Sequence, residues 1–130
     1  MAKGDDIQEM LISFSVHAME LCRGLPKSAE AKNICVQLSR SACAAAPNYA
    51  EARGAESRND FVHKLGITFK ELNESEVWLK IIRQMRLVDE RQVLSVLDEC
   101  SHLCRIIAAS RTTASRGGTL DKAARNMRER

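Results

Sequence analysis

With 130 residues, the chain has room for one domain around a single core. Its 45% hydrophobic and 28% charged residues are an ordinary soluble balance, with no apolar run near the roughly 18 residues that span a bilayer. Asp5, Asp6 and Glu9 spoil a secretory leader, so a cytoplasmic address and no membrane partner are expected.

The charge is unevenly placed. Residues 114–130 hold five of the twenty basic and two of the seventeen acidic residues, so they carry the whole net charge of +3. Residues 1–113 are formally neutral. Five cysteines, Cys22, Cys35, Cys43, Cys100 and Cys104, sit inside apolar helical patterns and read as small buried hydrophobes in a reducing compartment.

No segment reads as a β-strand, so the chain is expected to be all-α. The first helix spans about 5–23, with Ile7, Leu11, Phe14, Ala18, Leu21 and Cys22 on one face. "GLPKS" ends it: Gly24 suits a left-handed C-terminal residue and Pro26 opens the next turn. Ser28, with Glu30 in the following turn, marks the start of the second helix.

That helix carries Ala31, Ile34, Cys35, Leu38, Ala42, Ala45, Tyr49 and Ala52 on one stripe and ends near Gly54. Within it, "SACAAAPNYAEAR" contains Pro47, a defect costing about 3 kcal/mol in a helix interior. Proline frees carbonyls in the preceding turn, and these need donors. Asn48 can supply one, or bridge to the third helix; Glu51, three residues on, is its neighbour. The break and the polar pair are expected to form one interhelical joint, where the small residues 41–46 let helices approach closely.

Ser57 followed by Asp60 signals the third helix, expected to reach about Arg86. Phe61, Leu65, Thr68, Leu72 and Leu79 share one side, and Ile67, Trp78, Ile81 and Met85 another. Together they exceed the arc of roughly 100° that faces a bundle core. The second stripe therefore calls for cover, most simply another copy of the chain. Glu71 and Glu74 fall within it and are read as acid/base catalysts, metal ligands or partners in polar contacts. His17 and His63 lie elsewhere and no Glu-x-x-His pair is present, which favours pairing with Arg or Lys of a neighbouring helix.

The fourth helix begins at Asp89, with Val93, Val96, Leu97, Cys100, Leu103, Cys104 and Ile107 aligned. Around the turn before it, Lys80, Arg83, Arg86 and Arg91 are candidates for phosphate contact, against the plain reading of solvated helix ends. Beyond Thr113 the pattern dissolves and Gly117-Gly118 is a breaker, giving a bundle over 1–113 and a flexible basic tail over 114–130. Arg116, Lys122, Arg125 and Arg128 make this tail a second candidate for nucleic-acid contact. Cys100 and Cys104 are one turn apart, with Cys35 at similar height, but lack paired Cys-x-x-Cys spacing and read as core. No metal, cofactor or catalytic residue is expected. Four amphipathic helices on short links give an antiparallel up-down-up-down bundle.

"LPKSAEAKNICVQLSRSACAAAPNYAEAR" followed by "DFVHKLGITFKELNESEVWL" resembles the bacterial four-helix-bundle family that includes proteins encoded by intervening sequences in 23S ribosomal RNA genes. The likeness rests on Asn48-x-x-Glu51, Phe61-x-x-x-Leu65 and the Glu71, Glu74 and Trp78 pattern. It implies a homo-oligomeric ring, a pentamer, with no established enzymatic activity. The family is similar to accessory proteins of diversity-generating retroelements, pentamers that bind nucleic acid and a reverse transcriptase. Those are strongly basic on the bundle surface, whereas this body is neutral, which moves any such contact to the tail or a local patch. Two roles stay open: an adaptor binding RNA or a ribonucleoprotein, and a protein–protein scaffold with no nucleic-acid role. With aromatic residues at 4%, base stacking is not expected to carry recognition.

Overall fold

The computed structural model describes the backbone of residues 3–128 and the side chains of residues 4–117 and Met127. Among these residues there are four helices and no strand: α1 (Lys3–Arg23), α2 (Ala29–Arg53), α3 (Arg58–Gln84) and α4 (Glu90–Arg128). α1 packs on α2, α2 on α3, α3 on α4, and α4 back on α1, the arrangement of a four-helix bundle. Its core comprises Leu11, Phe14, Leu38, Leu65, Leu72, Leu79, Val93, Leu103 and Ile107, all within 1% of complete burial. α1 meets α4 along the more open seam, which carries clefts lined by residues of both helices, among them Met10 and Leu103.

The helix starts follow from side-chain oxygens. Ser28 accepts from the Ala31 amide, and Ser57 from the Asp60 amide at 3.1 Å. Each satisfies one of the donors a helix leaves unpaired at its first turn. Asp89 does the same before α4, accepting from the Arg91 amide at 3.0 Å.

The ends differ from expectation. Gly24 is not left-handed: the α1–α2 link is a tight turn in which the Gly24 and Leu25 amides reach back three residues to Leu21 and Cys22. Arg86 takes the left-handed conformation instead, with φ 53°. The Arg86 amide donates to Arg83 and the Leu87 amide to Ile82, the Schellman closure of a helix C-terminus. Leu87 then packs against the core near Ile82 and turns the chain into α4. α3 accordingly ends at Gln84 with Met85 as its cap, slightly short of Arg86.

α2 runs unbroken through Pro47 to its cap at Gly54. α4 passes through Gly117-Gly118, where a break was expected, and is helical to Arg128, the last described residue. Lys122, Arg125 and Arg128, expected as tail contacts, have side chains outside the described residues.

Candidate functional site

The α2–α3 contact is a polar seam built on small side chains. Ser41 and Ser75, both fully buried, place their hydroxyls 2.8 Å apart across the two helices. Each also lies within reach of a carbonyl of its own helix, Ser41 of Leu38 and Ser75 of Glu71 at 2.9 Å, so one hydroxyl donates across the seam while the other donates to its own helix. Because Ser41 faces Ser75, antiparallel register brings Arg40 opposite Glu71 and Glu74, and Glu51 opposite Lys64.

Arg40 is the centre of this face. Its guanidinium lies 3.3 Å from a Glu71 oxygen and contacts Glu74 directly, so one cation joins both carboxylates. The Trp78 indole donates to the same Glu74 carboxylate at 3.2 Å. These donors, Arg40 first, hold the Glu74 carboxyl below the ordinary carboxylate range, against a smaller opposing effect of burial. A carboxylate stabilised in its charged form is a poor proton donor at neutral pH, and the arrangement is that of a structural ion pair.

The second half of the expected joint is separate. Asn48 donates from Nδ2 to the Ala44 carbonyl at 2.8 Å, within its own helix and directly beside the turn that Pro47 deprives of an N–H. Glu51 reaches α3, but at Lys64 (2.9 Å). The structure therefore divides the expected single joint in two: Asn48 bonds back to Ala44 within its own helix, one carbonyl beyond the Cys43 carbonyl whose i−4 donor Pro47 removes, and Glu71, Glu74 and Trp78 gather on Arg40 further along. Arg40 and Lys64 were not identified individually from the sequence. Only the cross-helix register singles them out from other surface cations.

The second stripe of α3 is partly covered within the chain. Ile67, Trp78 and Ile81 are half-buried, the last two packed against the core, while Met85 is 46% exposed. Uncovered apolar side chains extend beyond it: Val77 on α3, Val36 on α2, and Ile12, Val16 and Met19 on α1. Ile12, Val16 and Met19 recur at helical spacing and so form one stripe.

The basic cluster at the α3–α4 turn is half-neutralised. Lys80 pairs with Glu76 at 3.0 Å, and Arg83 with Glu90 at 3.0 Å. Among the described residues, the guanidinium groups of Arg86 and Arg91 have no carboxylate partner. Arg86 is exposed at the left-handed turn, and Arg91 lines a cleft of the α1–α4 seam with His17 and Glu20. Arg116 is exposed on the far part of α4. Cys100 and Cys104 are buried, as expected of core residues.

Residues 5–109 match the model of the 23S rRNA-intervening sequence protein family. A crystal structure of a protein of unknown function from the S23 ribosomal protein family of Bacteroides thetaiotaomicron VPI-5482 superposes with a TM-score of 0.78 at 25% identity. The superposition covers 85% of this chain and 99% of that one. No curated protein gives a significant match. No helix among the described residues is long and apolar enough to cross a membrane.

Proposed function

Since the chain belongs to the 23S rRNA-intervening sequence protein family, we propose that it acts without catalysis, as a cytoplasmic homo-oligomeric ring, a pentamer, that binds RNA or a ribonucleoprotein. The observation that carries the assembly is the apolar surface left open on three helices. Val16 and Met19 on α1, Val36 on α2 and Val77 and Met85 on α3 are all exposed, and Trp78 is half-buried. A second copy of the chain is the simplest cover for this apolar surface. The Arg40–Glu71–Glu74 group lies between them as a polar element that fixes how copies meet.

The nucleic-acid half rests on Arg86, Arg91 and Arg116, whose charge is not cancelled by a described carboxylate. Repetition around a ring multiplies each weak phosphate contact by avidity. A second reading, a protein–protein scaffold, is favoured by the pairing of Lys80 and Arg83 with Glu76 and Glu90. Filter binding of RNA across a salt series, on protein whose mass has been fixed by sedimentation, separates the two. Affinity falling linearly on a log–log salt plot supports the adaptor; no binding at low salt leaves the scaffold.

A further inference from the structure

We propose that Glu76, Cys100 and Cys104 form a binding site for a thiophilic d10 cation, zinc(II) in the first place, on the α3–α4 seam. This goes beyond the ring and its partners and concerns a different side of α3. One carboxylate oxygen and the two thiol sulfurs all lie within 4.8 Å of one another. Bond lengths of about 2.3 Å for Zn–S and 2.0–2.2 Å for Zn–O put tetrahedral ligand atoms about 3.5–3.8 Å apart. The three atoms therefore need to draw in by at most about 1.3 Å, a side-chain adjustment. Asn73 holds its Oδ1 3.7 Å from the Cys104 sulfur, so a neutral oxygen or a water is at hand for the fourth position.

The surroundings suit such an ion. Ser101 donates to one oxygen of Glu76 at 3.3 Å and Lys80 pairs with the other at 3.0 Å, fixing the carboxylate from outside. Two thiolates and a carboxylate around a divalent ion leave one negative charge, and Lys80 balances it. Cys100 donates to the Leu72 carbonyl at 3.2 Å, a carbonyl that keeps its helical N–H partner when the thiol proton leaves. Paired thiolates select soft and borderline ions over magnesium or calcium.

The test uses the reduced full-length chain. Zinc titrated in competition with a chromophoric chelator is expected to bind one ion per chain and release about two protons. Cobalt(II) in its place is expected to show thiolate-to-metal charge transfer. Cys104→Ser and Glu76→Gln are each expected to weaken zinc binding by about 10- to 100-fold or more, with helical circular dichroism retained. Cys35→Ser, on α2, leaves it unchanged. Glu76→Gln lies at the half-buried rim, so its result stands even if Cys104→Ser disturbs the core. No stoichiometric binding, or binding that survives both variants and disappears with Cys35→Ser, overturns the site.

Discussion

Asn48 shows a side chain bonding back beside a backbone defect without reaching the Cys43 carbonyl that the defect orphans. Pro47 removes an amide from the middle of α2, and the Asn48 amide is supplied to the adjacent carbonyl of Ala44. Asn48→Ala is expected to lower stability by about 1 kcal/mol in chemical denaturation. Because this bond does not reach the Cys43 carbonyl, the same substitution is expected to cost as much in a Pro47→Ala background, and a double-mutant cycle checks that additivity. Arg86 presents the opposite case. It occupies a left-handed position that glycine fills without strain, so Arg86→Gly is expected to raise stability by about 1 kcal/mol. If Arg86 touches phosphate, that variant also loses RNA affinity, and the two readouts move in opposite directions.

At the scale of elements, the α2–α3 pair is held by a dry stripe and an ionic one. On the core side of α3 Leu72 is fully buried, and Leu72→Ala is expected to cost about 2–5 kcal/mol. The ionic stripe gives a pH signature. The Glu74 carboxyl is depressed in the folded chain, so its contribution is complete above the unfolded value of 4.5 and is lost as pH falls toward the lower folded value. Arg40→Met is expected to flatten this acid limb, measured as midpoint denaturant concentration against pH. How legible these elements were depends on the range of the interaction. Ser28, Ser57 and Asp89 act on amides two or three residues away, so spacing along the chain reveals them. Arg40 and Glu76 act across helices, and the register set by Ser41 on Ser75 is a property of packing. Gly24 misled because a glycine permits a left-handed turn without requiring one, whereas the exit of the chain toward α4 imposed it on Arg86.

At the scale of the whole molecule, the stripes on α3 were legible as an excess of apolar residues, but their split between core and surface was not. The bundle itself half-covers Trp78 and Ile81, and exposes Val16 and Val77 on two helices. An interface over this surface should therefore involve α1 as well as α3. Val16→Glu and Val77→Glu leave the core untouched and are each expected to shift sedimentation toward single chains. Both variants remaining fully assembled would remove this face from the interface.

The loose seam between α1 and α4 has a kinetic consequence. α1 leans mainly on α2, while α2 and α3 are gripped from both flanks. Opening the first helix alone therefore sacrifices fewer packed side chains than opening any other. In deuterated water, amides of α1 should exchange ahead of those of α2 and α3, and exchange at Leu11 should outpace global unfolding. A ligand wedged between the first and last helices would announce itself by slowing that exchange, before its identity is known.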